Sequence, residues 1–228
     1  MQKTITYNLI RSKRKTIAIH ITKNATVEVR APLRTSQKEI DAFVNCKREW
    51  INKHQNRIEQ VQEQKTSFTL TYGEQVYLCG KAYSIIAKEG NHAGFDGQYF
   101  YLPPNLSGEE IRQTIIQLYK KIAKTLLTNR TLEYAKRTGL MPIAIKVNSA
   151  KTRWGSCSGK NSINFSWRLI MASDDIIDYV VVHELAHIKE HNHSVRFWAV
   201  VASILPDYKT RERKLKEFQK QIANENWD

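Results

Sequence analysis

Apolar and polar residues alternate along the start of the chain. Ile17, Ile19 and Ile21 alternate with Ala18, His20 and Thr22, and Val27 and Val29 with Glu28 and Arg30. Period two buries one face of a strand. Residues 3–10 and 15–30 therefore read as strands joined by the basic turn Arg11-Ser12-Lys13-Arg14, with His20 on the solvent face. Beyond Ala31-Pro32-Leu33 the period changes. Ile40, Phe43, Val44, Trp50, Ile51, Ile58 and Val61 recur at helical steps, and Ser36 with Glu39 makes a capping box. The pattern predicts one long helix to about residue 63, then a polar linker over 62–67. Strands follow at Phe68–Leu70, Val76–Leu78 and Tyr83–Ile86, with Gly80-Lys81 as a tight turn and Phe95–Tyr101 as a further short hairpin. Pro103-Pro104 closes this β-rich stretch.

The second half is dominated by helical periods. Ser107 opens a helix reaching about Thr138, with Ile111, Ile115, Leu118, Ile122 and Leu126 on one side and Gly139 then Pro142 as stop signals. Ile143–Val147 is a strand. A turn at Ser158–Asn161 predicts an antiparallel pair ending in the strand Ser162–Ile170, with Trp154 and Trp167 as core residues. Ser173-Asp174-Asp175 caps the next helix, whose buried side begins with Ile176, Ile177, Val180 and Val181. Ser194 caps another, apolar at Val195, Phe197, Trp198, Val201, Ile204 and Leu205, and Pro206 ends it. A last helix over about 208–224 buries Leu215, Phe218 and Ile222. The class is α+β: a β-rich region with one long helix over residues 1–104, then a region over 105–228 with a small antiparallel sheet around a central helix.

Composition narrows the setting. At 228 residues, 41% hydrophobic and 25% charged, this is an ordinary globular composition. No apolar run approaches the ~18 residues of a membrane span, and the N-terminus has no apolar signal region, so no membrane partner and a cytoplasmic location are expected. Cys46, Cys79 and Cys157 are odd in number and widely spaced, as free thiols of a reducing compartment would be. The net charge of +14 favours anionic partners such as DNA, nucleotides or acidic proteins; basic residues scattered over all faces would give the same total.

The chemistry concentrates in one helix. Four of the seven histidines lie between residues 183 and 193, within Val182-His183-Glu184-Leu185-Ala186-His187 and the residues after it. His183 and His187 are one turn apart on one face, as two ligands of a single Zn2+ ion need to be. Glu184 reaches the remaining coordination position, where water sits, and takes the role of general base. The run Val180–Val182 buries this helix, and buried histidines need partners. A third ligand must come from His191, His193, or an acid such as Glu212 or Glu217. In an unbroken helix His191 would lie about 12 Å along the axis from His183, too far to share an ion. A turn near Glu190–Asn192, where Asn tolerates left-handed backbone, can return His193 to the ion, with an acid of the last helix as the alternative. The His187-to-His193 spacing is the one metzincin proteases use, although they carry glycine where this chain has Glu190. His191 is left at the surface.

Five motifs together resemble the YgjP-like family of bacterial metal-dependent hydrolases: Arg153-Trp154-Gly155-Ser156-Cys157; Asn164 with Trp167-Arg168-Leu169-Ile170; Tyr179 through His187; Asn192-His193-Ser194 with Phe197-Trp198; and Pro206 with Tyr208. They cover about residues 150–210. The resemblance implies a zincin-like fold for 105–228, zinc on His183, His187 and His193, Glu184 as base, and kinship with SprT-type proteases, some of which act on DNA-bound proteins. The Ser162–Ile170 strand is then the candidate to pair with an extended substrate. Arg153, Asn164, Arg168 and Tyr208 are candidates to stabilise transition-state charge, and Asp178 to orient a ligand histidine. Three functions compete: a zinc-dependent peptidase, a metal-dependent hydrolase of a small anion such as a nucleoside triphosphate, and a nucleic-acid-binding module with a structural zinc.

Overall fold

The computed structural model describes residues 5–66, 69–223, 225 and 227, with backbone only for 61–66. The start of the first expected strand at residues 3–4, the side chain of Val61, Ser67 and Phe68 lie outside the described residues. The chain forms two compact units, residues 1–68 with 224–226, and residues 69–223 with 227–228.

In the first unit, β1 (Asn8–Ser12), β2 (Ala18–Ile21) and β3 (Val27–Pro32) make a sheet in the order β1-β3-β2, with β3 parallel to β1 and antiparallel to β2. Alternation decides its faces. Val27, Val29 and Ala31 are buried, while Arg30 Nε donates to Glu28 on the other side at 2.7 Å. His20 is exposed, as its place in the pattern predicts. The expected single helix is two, α1 (Gln37–Cys46) and α2 (Arg48–Thr66), interrupted at Lys47 with φ −99° and ψ 12°. Ser36 and Glu39 form the capping box. The apolar stripe survives the break, because Ile40, Val44 and Ile51 share one core with Val27, Val29 and Ala31. Most of the expected polar linker, residues 62–66, belongs to α2.

The second unit begins with β4 (Gln75–Leu78) and β5 (Lys81–Ala87), then β6 (Gly94–Phe95) and β7 (Phe100–Leu102), in the order β4-β5-β7-β6. Thr69 and Leu70 are not in a strand. Cys79 and Gly80 close the first hairpin with φ 50° and 74°, the left-handed pair that matches strand twist. Helix α3 (Gly108–Thr138) has its capping box at Ser107 and Glu110 and ends on Gly139 with φ 74°. The contact division falls at 68/69 rather than at 104/105, because β4–β7 share the second unit's core. Phe100 meets Tyr119 of α3 edge-on at 5.7 Å, Tyr119 stacks on Trp167 at 5.7 Å, and its hydroxyl donates to the Tyr77 carbonyl at 2.6 Å.

β8 (Ala144–Asn148), β9 (Gly155–Cys157) and β10 (Ser162–Ser166) form a sheet in the order β8-β10-β9. The pair β9–β10 is antiparallel around the predicted turn, but β8 joins β10 in parallel, so the sheet is mixed rather than antiparallel. The expected strand Ser162–Ile170 stops at Ser166, and Trp167–Met171 is a fully buried 3-10 helix. As the central strand, β10 has partners on both edges and none free for a substrate; the outer edges of the sheet belong to β8 and β9. Helices α4 (Asp174–Ala186), α5 (Val195–Ile204) and α6 (Tyr208–Ile222) complete the unit. Leu215, Phe218 and Ile222 of α6 are only half-buried. Among the described residues no helix is long and apolar enough to cross a membrane.

Candidate metal centre

Helix α4 is buried nearly all round: Ile177, Val181, Val182, Leu185 and Ala186 are fully enclosed. Its position is set at both ends. At the N-terminus Ser173 is the capping residue, although its hydroxyl bonds Asp175 at 2.5 Å rather than a helix N–H. Arg130 of α3 pairs with Asp174 at 2.8 Å and Asp178 at 2.5 Å, and Lys214 of α6 with Asp175 at 2.6 Å. Asp178 thus belongs to this α3–α4 network, not to a ligand histidine as expected. Gly80 presses on the same end: a Cβ there would lie 2.8 Å from the Ser173 Cα.

The helix ends at Ala186, one turn earlier than the expected reversal, and turns over residues 187–189 bring the chain back. Asn192 does not adopt positive φ; its side chain instead accepts the Ser194 N–H at 3.2 Å, and Ser194 Oγ accepts the Phe197 N–H to start α5. The return brings His193 against the helical pair. Ring centres of His183 and His187 are 5.0 Å apart, those of His183 and His193 4.9 Å, and those of His187 and His193 4.8 Å. One nitrogen from each can serve as ligand with all three within 4.8 Å of one another. His191 and Glu212 are not in this group, the one set of three potential ligands found among the described residues.

Beneath the three rings lies Phe197, fully buried, with its centre 4.9, 4.5 and 4.8 Å from those of His183, His187 and His193. Trp198 stacks on exposed His193 at 5.8 Å, and Tyr208 stacks on Trp198 at 5.2 Å. An apolar floor and an aromatic wall therefore hold the one histidine that no helix fixes. The sequence marks Phe197 and Trp198 as apolar helix positions and as part of a family motif, without a role for either.

The electrostatics suit a cation. Burial, then the neighbouring histidines, push His183 down to about 3, and burial lowers His187 as well, so both imidazoles are neutral and present lone pairs. The His183 and His193 Nε2 atoms face each other at 3.0 Å. His187 Nδ1 lies 3.1 Å from the Glu190 carbonyl; donation there directs its Nε2 inward. Glu184 Oε2 is buried without a hydrogen-bond partner. Such an atom costs about 1–3 kcal/mol when left unsatisfied, and water held by an ion between the imidazoles would donate to it. Burial raises Glu184 to about 8 against the opposing charge of Arg153.

The expected substrate residues separate. Tyr208 reaches the site through the Trp198 stack, and the Arg153 charge acts on Glu184. Arg168 is buried, donating to the Ser149 and Trp227 carbonyls at 3.2 and 3.4 Å and lying over the Trp167 ring. Asn164 pairs in register with Ser156, while Gly155 and Cys157, which face Glu184's side, pair with Phe165 and Ile163; alternation puts Asn164 on the other face. Tyr179, one turn before His183, is absent from the sequence-derived site. Its ring centre is 5.9 Å from that of His183, and its hydroxyl pKa is raised by burial and by Glu212, Tyr208 and Glu184.

A family model described as YgjP-like, metallopeptidase domain, matches residues 15–218. Among solved structures, the metallopeptidase zymogen abylysin of Pyrococcus abyssi is 21% identical, with a TM-score of 0.36, covering 39% of this chain and 90% of that one. The zymogen jannalysin of Methanocaldococcus jannaschii is 23% identical, with a TM-score of 0.37, covering 42% of this chain and 97% of that one. No curated protein matches significantly.

Proposed function

The chain belongs to the YgjP-like metallopeptidase family, and from that premise we propose that it is a zinc-dependent peptidase, with His183, His187 and His193 holding the ion and Glu184 as general base. The observation that carries the reading is the convergence of three imidazoles, two of them neutral by burial, beside a buried carboxyl group. Three nitrogen donors with one position left open match a catalytic zinc rather than a closed structural one. When bound, the ion supplies Lewis-acid polarisation and acidifies water.

The residues of the chain do the rest. Ionised beside a bound cation, which offsets the burial that raises its pKa, Glu184 accepts the proton of the attacking water and returns it to the leaving amine. Phe197 excludes water from beneath the ligands. Arg153 offers positive charge at the mouth, and Tyr208 a hydroxyl beside the aromatic wall. The free edge of β9 can pair with an extended polypeptide, which favours a peptide over a small anion. Free Cys46, Cys79 and Cys157 fit a reducing cytoplasm.

The test is cleavage of an unfolded polypeptide by the zinc-loaded protein. Chelation should abolish cleavage and zinc restore it, and Glu184→Ala should lower turnover about 10²–10⁴-fold while still binding zinc. Cleavage undiminished in Glu184→Ala would sink the reading. Phosphate or pyrophosphate release from a nucleoside triphosphate without polypeptide cleavage would replace it with the small-anion hydrolase.

A further inference from the structure

Only Arg153 carries a charge within the Arg153–Cys157 motif. Its centre is Gly155, the first residue of β9. Gly155 has no left-handed φ, so its backbone conformation is open to any residue and does not explain a glycine. The contact does. A Cβ on Gly155 would lie 2.6 Å from both Cγ and Oε1 of Glu184 and 2.8 Å from its Cδ. Real Cβ atoms do not approach so closely, and Glu184 is only 6% exposed. Gly155 and Cys157 pair across to Phe165 and Ile163, both fully buried. This is the face turned into the unit, and the Glu184 side chain packs against it at Gly155. Burial, and then the Glu184 charge, raise the pKa of the Cys157 thiol on the same face.

We propose that Gly155 is the positioning residue for Glu184: the missing side chain at this point of β9 is the slot that holds the carboxyl group beside the three histidines. The proposal rests on reading Glu184 as the general base. The atoms a methyl group would strike belong to a flexible side chain and not to backbone. Gly155→Ala therefore moves the carboxyl group while leaving the fold and the ligands in place.

Two readouts independent of turnover test this on the zinc-loaded full chain. The first is carbodiimide labelling with glycine ethyl ester, mapped by mass spectrometry. Glu184 is protected in the wild type, and in Gly155→Ala it should label roughly tenfold faster, as a group expelled from a buried slot would, with zinc affinity within about threefold of wild type. Unchanged labelling of Glu184 overturns the proposal. The second is a melting-temperature cycle. The added methyl should cost nothing in a Glu184→Ala background, where the clash is gone; the same cost in both backgrounds overturns it. If Gly155→Ala alone does not fold, the double variant decides: folded supports the slot, unfolded overturns it. On labelled casein, Gly155→Ala should lower kcat with KM nearly unchanged, and an unchanged kcat counts against the slot. A wild type that cleaves no polypeptide would instead overturn the peptidase reading and leave the labelling and melting results standing.

Discussion

At the residue scale, the metal centre is written in spacing. Two histidines four apart must share a helix face, and a third just beyond the helix end can return to them. That much was legible because helix geometry sets His191 too far along an unbroken helix, while a turn and the His187-to-His193 spacing favour His193 over an acid of the last helix. The fates of Asn164 and Arg168 were not legible: which face a strand residue takes depends on pairing with Ser156, and Arg168's partners Ser149 and Trp227 are distant in sequence. The supports of His193 were invisible for the same reason. Trp198 stacks on it and is itself backed by Tyr208, so Trp198→Ala should weaken zinc binding about 10–100-fold with the helical pair untouched; isothermal titration checks this, and unchanged affinity would remove the aromatic wall from the account. The thiols give a pH prediction. Burial, and then Asp174, push Cys79 up to about 11. The thiolate is the reactive form, so below that pH Cys79 stays a protonated, unreactive thiol. Iodoacetamide at pH 8 should label exposed Cys46 first, with Cys79 labelling in the folded protein only as pH rises towards 11; equal rates at pH 8 would contradict its burial.

At the element scale, α3 followed its apolar period closely: it opens at the predicted Ser107 and stops at the predicted Gly139. The misreadings fall where local pattern is ambiguous or pairing is long-range. The run from Ser162 to Ile170 is apolar enough for a strand or a buried turn of helix, and periodicity cannot choose between them; the chain uses both. The parallel partnership of β8 and β10 joins strands separated by β9 and carries no local signal. The β4–β5 turn buttresses the start of α4, where Gly80 combines φ 74° with the close approach to Ser173. Gly80→Ala faces backbone atoms on one side and a disfavoured φ on the other, and should destabilise the protein by about 1–3 kcal/mol. A melting temperature equal to wild type would show that this turn does not brace the helix. The contrast with Gly155, whose neighbour is a flexible side chain, separates a glycine needed for stability from one needed for placement.

At the scale of the whole molecule, the net charge of +14 is a property no single site explains. If the basic surface tracks phosphates, affinity for duplex DNA should fall linearly in a log–log plot against salt, with a slope of about −0.9 per phosphate contacted; salt-independent binding would contradict a phosphate-tracking surface. The fold serves the site by tying α4 to α3 and α6, through Arg130 and Lys214, and by packing the edge strand β9 against Glu184. The central claim is that this arrangement adds water across a peptide bond with Glu184 as base. Its most direct test is cleavage of an unfolded polypeptide by the zinc-loaded protein in ¹⁸O-labelled water, read by mass spectrometry of the products beside a Glu184→Ala control. The account predicts labelled oxygen at each new C-terminus with the wild type and almost no product with the variant; equal labelled product from both would contradict it.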